Sequence, residues 1–425
     1  MGEFLLVTHG TAGDVLPFIS VGAALAARGH AVTLISHAPY AERARAAGLG
    51  FAAVDTVAQY EAGQRRTPGL LAAQRPHELR DYYEREGLFA QLRREVDLLA
   101  ERHRPGRTVL AGRHTSALSV LVAADLLAAP AAWVAVAPVQ LLVAPVAAAH
   151  VRAGLAPGID AVRAGLGLPP VGDWAGWLRS TRAVLGLWPT WFDEAGPRAA
   201  GNGVTLTGFV TGDAAGGASH PVDDRPLLVT GGTGRLLHPR FYPVALDAVA
   251  ATGRAALVVA PDRAMLPARL PSTADWHPRL PFPSVLPQVA AILHHGGIGT
   301  AVRALHTGTP QVIMAYGADR PDNAARLAAH EVARWVAEPD WTPAAADTGY
   351  AARAARLLDE PEAAAPDRAA AALEGLLSAA PGPADRLRRL TPAQRRLLAQ
   401  RLSSAAVERG ADVPPGVVDA GLQGP

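Results

Sequence analysis

The chain of 425 residues contains no cysteine and no lysine. The first absence excludes disulfides and thiol chemistry but leaves the compartment open. The second makes every basic side chain an arginine and rules out a phosphate loop of the GxxxxGK[ST] type, which needs a lysine. An excess of one charge is also missing. Forty basic and 38 acidic residues leave a net charge of +2, with the acidic residues spread nearly everywhere, so no nucleic-acid surface is indicated. Arg386, Arg388, Arg389, Arg395 and Arg396 near the C-terminus form a local exception that reads as a solvated helix face. Long apolar runs are scarce as well. The best membrane candidate, Leu126 to Ala149, is interrupted by Pro130, Pro138 and Pro145 and carries Gln140. A strand at Ala131–Ala137 followed by a proline-punctuated loop explains it better than a spanning helix. The opening MGEFLLVTHG reaches glycine too soon for a signal-peptide apolar region and carries Glu3. A soluble, cytoplasmic protein is expected.

What is present is apolar and periodic. Half of the residues are hydrophobic, enough for a sizeable core, and at roughly 150 residues per domain the length suggests two domains or more. GEFLLV, AVTLIS, TVLAG and WVAVA are continuous apolar runs, separated by helical patterns at Phe18–Arg28, Pro39–Ala47 and Ser116–Leu127. Uninterrupted runs mean strands covered on both faces, hence a parallel sheet with crossover helices. Tyr60–Arg104 reads as helical and loop-like, and residues 145–200, rich in Pro, Gly and Trp, as irregular. GDAAGGASHPVDDRP, 212–226, is a linker by composition. The alternation then restarts with LLVTGG, a helix over Pro239–Thr252, AALVVA, VAAILHH, a helix over Thr300–Thr307, QVIM and a helix around Asn323–His330. The predicted fold is therefore α/β, with two doubly wound parallel-sheet units: 1–211, then the linker 212–226, then 227–383, followed by an arginine-rich tail, 384–425. Such a pair takes its ligand in the cleft between the units, at the carboxyl ends of the strands.

The stretch HHGGIGT, 294–300, stands where a strand turns into a helix. Glycines there let backbone N–H groups approach an anion, and the helix N-terminus adds partial positive charge. Thr300 could cap that helix or donate to a phosphate. A dinucleotide fingerprint is not met: GIGTAV lacks the third Gly or Ala, Thr8 replaces the first glycine before Gly10 and Gly13, and no acidic residue stands at Ser36 or His37.

The block HHGGIGTAVRALHTGTPQVIMAYGADRPDNAARLA resembles the donor-binding signature of family 1 glycosyltransferases of the GT-B fold, most closely the bacterial branch acting on antibiotics and sterols. THGTAGDVLPF resembles that branch's first loop, and LLVTGGTG and RLPFPSVLP its other donor-side loops, so that residues 3–380 are covered. The resemblance implies two Rossmann-like domains, acceptor on the first and nucleoside-diphosphate sugar (UDP, TDP or GDP) on the second. The sugar nucleotide is a co-substrate; no cofactor is implied. His295 would contact the diphosphate, with Gly297 and Thr300 adding backbone and hydroxyl contacts. Gly232 and Thr233 would touch the second phosphate, Leu280 would pair its backbone with the nucleobase, and Asp319 would bind sugar hydroxyls. Two departures stand out: Arg320 replaces the usual glutamine, and Ala315 a common proline. Arg320 could meet a sugar substituent, meet a phosphate or face solvent.

Transfer to a hydroxyl needs a base at the cleft on the first domain. The family pattern G-[H/D]-x-x-P reads Gly13-Asp14-Val15-Leu16-Pro17 here, which makes Asp14 the candidate base and His9, in the same loop, the second. The bland reading of Asp14 is a helix N-cap. His294 is read as structural, orienting His295, Thr233 is equally readable as a turn residue, and Trp174, Trp177, Trp188, Trp191 and Phe192 as core. No DxD pair or metal-ligand spacing is present, so a metal-free, inverting single displacement is expected, acting on a small natural product. Competing readings are a non-catalytic GT-B auxiliary partner and a nucleotide-sugar epimerase; the failed fingerprint disfavours a dehydrogenase. The tail segment LTPAQRRLLAQRL, with Leu390, Leu397, Leu398 and Leu402, resembles short helices between modules of peptide synthetases and suggests contact with one.

Overall fold

The computed structural model describes residues 1–72, 75–114, 116–193, 203–212, 220–337, 341 and 364–378. In the first half, Phe4, Leu5, Leu6 and Val7 are all at most 1% exposed, because successive side chains of one strand enter two different cores. That strand, β1 (Glu3–Val7), lies in a seven-stranded parallel sheet with β2 (Ala31–Ser36), β3 (Gly50–Ala53), β4 (Thr108–Arg113), β5 (Ala131–Ala135), β6 (Ala183–Gly186) and β7 (Thr205–Leu206), in the order β3-β2-β1-β4-β5-β6-β7. In register, Phe4 faces Val32 on one side and Val109 on the other.

Phe4 and Leu6 pack beneath α1 (Ala12–Ala27), whereas Leu5 and Val7 meet a helical layer on the opposite face. Between β2 and β4 run α2 (Ala41–Ala46), α3 (Val57–Arg66), α4 (Pro68–Ala72), α5 (Pro76–Arg85) and α6 (Leu88–Arg102). After β4 come α7 (Ser119–Leu127), α8 (Val139–Leu142), α9 (Ala144–Ala164) and α10 (Trp174–Leu178). The second half forms a six-stranded parallel sheet from β8 (Leu227–Thr230), β9 (Ala256–Val259), β10 (Ala274–His277), β11 (Ala291–His294), β12 (Gln311–Ile313) and β13 (Arg334–Trp335), in the order β10-β9-β8-β11-β12-β13. Its helices are α11 (Phe241–Thr252), α12 (Phe282–Val285), α13 (Ile298–His306) and α14 (Arg320–Ala329). Both sheets reverse their strand order beside the first strand of the half, the topological switch point where ligands bind. A shared core, including Trp188, Phe192 and Phe209 from the first half and Ile298, Val302 and Ile313 from the second, joins the two.

Several sequence expectations are corrected. Residues 144–164, expected as irregular after a proline-punctuated loop, are one helix, α9. Pro145 lies in its first turn, where no N–H partner is lost, and Pro157 is carried inside it. Its glycines serve close packing instead of breaking the helix. A Cβ at Gly154 would come within 2.6 Å of the Pro76 carbonyl, and one at Gly158 within 2.2 Å of the Phe89 ring. The first helix begins at Ala12, not near Phe18, and its N-cap is Thr11; Asp14 is therefore the third helical residue and not the cap. The helix expected from Thr300 starts at Ile298, with Gly297 as its cap, so Thr300 lies inside it. Of the aromatics read as core, Trp174, Trp177, Trp188 and Phe192 are buried, and Trp191 is half-buried against the core that holds Trp188 and Phe192. The final described helix, α15 (Ala365–Ser378), was grouped from sequence with the second unit, yet it packs on the first. Ala369, Leu373 and Leu376 join the core of α1, and Arg368 Nε donates to the Thr207 carbonyl at 2.7 Å. Residues 213–219 of the linker and the whole tail, 384–425, lie outside the described residues. No helix among those described is long and apolar enough to cross a membrane.

If α15 belongs to the first core, Leu373→Ala should cost about 2–5 kcal/mol of unfolding free energy, read from the denaturant midpoint. A change below about 0.5 kcal/mol, the range of surface substitutions, would place the helix at the surface.

Candidate active site

The carboxyl ends of the strands in both halves open onto one cleft of about 1440 Å³, lined by the 9–14 loop, by α3 and α6, and by the turns after β8, β11 and β12.

On the second-half wall, the turn after β11 is held by its two histidines. His294, fully buried, accepts the Gly296 N–H on Nδ1 (3.2 Å), so Nε2 carries the proton and donates to Gln311 Oε1 (3.0 Å). Burial pushes its pKa down to about 4, only partly opposed by the Gln311 bond. His295 is 8% exposed, its ring wedged between two glycines: a Cβ at Gly232 or at Gly297 would stand 2.5 Å from ring atoms. Gly232 also has φ +77°, a second reason for glycine there. Burial first, then the Arg320 cation and His294, hold the His295 imidazole well below the usual histidine range, so it is neutral at neutral pH. Its Nδ1 is buried and has no hydrogen-bond partner among the described residues. A neutral imidazole can meet an anion there only through an N–H, which requires the tautomer with its proton on Nδ1.

The other donor-side positions surround it. Thr300 is buried in the first turn of α13, and Leu280 packs with Val259 and Leu286 at the cleft margin. Asp319 caps α14; desolvation raises its pKa against the opposing Asn323 bond, whose Nδ2 donates to Asp319 Oδ2 at 2.8 Å. The same Asn323 Nδ2 donates to the Gly296 carbonyl (3.2 Å), tying the two turns together. Arg320 does not face solvent: it is 7% exposed, and its Nη1 donates to the Tyr316 carbonyl (3.1 Å) and to that of Leu236. The arginine thus laces the turn after β8 to the turn after β12.

The first-half wall carries Asp14. Its Oδ2 accepts the Thr11 N–H (2.8 Å) and hydroxyl (3.3 Å), while Oδ1 pairs with Arg113 Nη2 (2.8 Å). Gly10, at φ +115°, leaves the space: a Cβ there would lie 2.3 Å from Asp14 Oδ2. The charge of Asp14 is felt by both Asp319 and Arg320 on the opposite wall. Thr233 Oγ1 accepts the Ala12 N–H at 3.3 Å, so the two walls touch at the α1 N-terminus. His9 Nε2 meets Glu95 Oε1 at 2.7 Å; that carboxylate, 2% exposed, also accepts Gln91 Nε2 (2.8 Å) and Ser119 Oγ (2.6 Å). Burial would raise the Glu95 pKa, but His9, Ser119 and Gln91 together bring it below the ordinary value.

Sequence reasoning missed Arg113, Glu95 and Asn323. Glu95 was findable, since it interrupts the buried stripe Leu92, Val96, Leu99 of α6 with a carboxylate. Arg113 gave no signal, because its partner lies 99 positions away across a parallel sheet. Among the described residues, no group of three or more His, Asp or Glu is placed to hold a metal ion.

The neutral His294 makes stability depend on pH. Unfolded, it takes a proton near pH 6.5; folded, only near 4. Between these values the unfolded chain binds more protons, so stability should fall as pH drops from about 6.5 to 4, by about 3 kcal/mol from this residue. His114, held down to about 4 by burial and by Arg113, adds to the trend. Denaturant midpoints across that window should show the decline, with a shallower slope in His294→Asn.

Known proteins agree with this geometry. Residues 4–88 match the glycosyltransferase family 28 N-terminal domain, and residues 245–390 the C-terminal domain of the erythromycin biosynthesis protein CIII-like family. The chain is 29% identical over 364 residues to the O-mycaminosyltylonolide 6-deoxyallosyltransferase of Streptomyces fradiae, covering 76% of this chain and 82% of that protein. It is 34% identical over 185 residues to the aklavinone 7-beta-L-rhodosaminyltransferase of Streptomyces galilaeus, covering 42% and 39% respectively. The solved glycotransferase of kitacinnamycin shares the fold with a TM-score of 0.64 at 22% identity, covering 88% of this chain and 98% of that one. A Streptomyces sp. SF2575 glycosyltransferase complexed with thymidine diphosphate shares it with a TM-score of 0.55 at 21% identity, covering 94% and all of that chain. With its two parallel sheets, its shared cleft and these relatives, the chain belongs to the GT-B glycosyltransferases, alongside those of Streptomyces antibiotic biosynthesis.

Proposed function

We propose that this glycosyltransferase moves a sugar from a nucleoside diphosphate to a hydroxyl of a small natural product, by a single displacement that inverts the anomeric carbon and uses no metal. One observation carries the reading. His295, whose buried Nδ1 has no partner among the described residues, and Asp14, whose charge bears on Asp319 and Arg320, line the same cleft from opposite halves. The diphosphate would lie against His295, the Gly232–Thr233 turn and the α13 N-terminus, whose aligned N–H groups meet developing negative charge without a cation. Asp14 would take the acceptor's proton as the hydroxyl oxygen attacks C1. As that bond forms, the C1–oxygen bond to the diphosphate breaks, and the nucleoside diphosphate leaves with that electron pair. An ionised carboxylate offers about four lone-pair sites. Thr11 and Arg113 fill three of them, which leaves room for the acceptor. The acceptor class is supported by the compounds that the relatives' names carry, O-mycaminosyltylonolide and aklavinone, and thymidine diphosphate sugars are the first donors to test.

A second reading gives the proton to His9, and its buried Glu95 partner favours it: an imidazole backed by a fixed carboxylate is the usual form of a general base. Two variants separate the readings. Asp14→Asn should keep donor affinity while turnover falls by about 10² to 10⁴; if His9→Gln shows that loss and Asp14→Asn does not, His9 is the base. His295→Ala should weaken nucleoside-diphosphate binding by about 10- to 100-fold, measured by calorimetry, because it removes a contact to a charged group. Unchanged affinity would remove the diphosphate from this turn.

A further inference from the structure

A second imidazole–carboxylate pair stands in the acceptor part of the cleft. His37, at the end of β2, donates from Nδ1 to Asp55 Oδ2 at 2.7 Å. Asp55 Oδ1 accepts the Ala38 N–H at 2.9 Å, which leaves this carboxylate as an acceptor on both oxygens and places the His37 proton on Nδ1. In the neutral imidazole Nε2 is then the lone-pair acceptor, and no hydrogen bond to it is formed among the described residues. The ring is packed edge-on to His9, centroids 5.8 Å apart, and against Tyr60 at 4.9 Å, and all three line the cleft. His9 is built the same way. Glu95 is filled by His9, Gln91 and Ser119 and holds the His9 ring by Nε2, so that in the neutral ring Nδ1 is the acceptor. The turns after two neighbouring strands therefore each carry an imidazole fixed from behind by its own carboxylate, His37 through Nδ1 and His9 through Nε2.

We propose that His37 is a specificity-determining residue that accepts a hydrogen bond from a second hydroxyl of the acceptor, next to the one that receives the sugar. The preferred acceptor is thus a diol with its hydroxyls on neighbouring carbons, aliphatic or aromatic. Hydroxyl oxygens about 2.8 Å from each imidazole nitrogen fit rings this close. A single hydroxyl would leave the lone pair of one half-buried imidazole unmatched when the acceptor displaces water. Asp55 acts as a positioning residue, setting the tautomer that presents the lone pair. The inference rests on the glycosyl-transfer reading and on His9 meeting the hydroxyl that receives the sugar.

The test uses the full chain, the best sugar nucleotide from a donor screen, and acceptors matched in pairs that differ by one neighbouring hydroxyl: catechol with phenol, and cis-cyclohexanediol with cyclohexanol. The wild-type chain should favour the diol of each pair in kcat/KM by about 10-fold, roughly one hydrogen bond to a buried group. His37→Ala should remove that preference by slowing diol transfer alone, and His37→Gln, which keeps an acceptor, should restore part of it. A merely structural His37 would lower both members equally. That result, equal use of the pairs by the wild type, or no transfer to any diol overturns the proposal. Hydrolysis of the sugar nucleotide without acceptor is followed alongside. It reports the donor half by itself, so loss of discrimination is distinguishable from failure of the transfer reading.

Discussion

The constraint on which the donor half depends is the fit of one neutral imidazole between two backbones. His295 can occupy its place only because positions 232 and 297 lack a Cβ. Once there, it is dry enough to stay uncharged, and its Nδ1 has no partner among the described residues. The surrounding polar contacts keep that wedge from collapsing. His294 fixes the Gly296 N–H, Asn323 holds the Gly296 carbonyl to Asp319, and Arg320 laces Leu236 to Tyr316. Each strut is worth little alone, but in a low-dielectric setting they share one outcome: a turn already shaped before an anion enters, so that little reorganisation remains at the moment of reaction.

The facing wall follows a different economy. Its carboxylates are numerous, and each is restrained by a donor: Asp14 by Arg113 and Thr11, Glu95 by His9, Gln91 and Ser119, Asp55 by His37 and the Ala38 N–H. With no lysine in the chain, every permanent cation is a planar guanidinium, which orients what it binds as well as neutralising it. The result is a cleft whose first-half side offers fixed acceptors for hydroxyl protons, while its second-half side offers N–H groups for an anion. That polarity suits a reaction in which a proton is lost on one side and negative charge develops on the other.

How much could be read from the residues depended on the range of the interaction. Buried parallel strands announce themselves as continuous apolar runs, since both faces of each are covered, and they were legible. The glycine turn at 294–300 was legible because a strand that turns at once into a helix around a buried histidine needs glycines at fixed positions. Helix α9 was not, since Gly154, Gly158 and Pro157 look like breakers until the neighbouring Pro76 carbonyl and Phe89 ring are seen to need the space. The start of α1 was misplaced for a similar reason: the reciprocal bonds of Thr11 and Asp14 outweigh the weak helical signal of a glycine-containing first turn.

The sequence by itself determined the α/β class, the two doubly wound halves and the positions of His295, Asp14 and Asp319, because these rest on local periodicity and on short motifs. Only the tertiary structure decided that Asp14 is paired with Arg113, that His9 and His37 each have a carboxylate behind them, that Arg320 is a buried brace, and that α15 returns to the first sheet. Those are contacts between residues far apart in the chain. They form only after two parallel sheets have brought their carboxyl ends together, so no stretch of sequence encodes them alone.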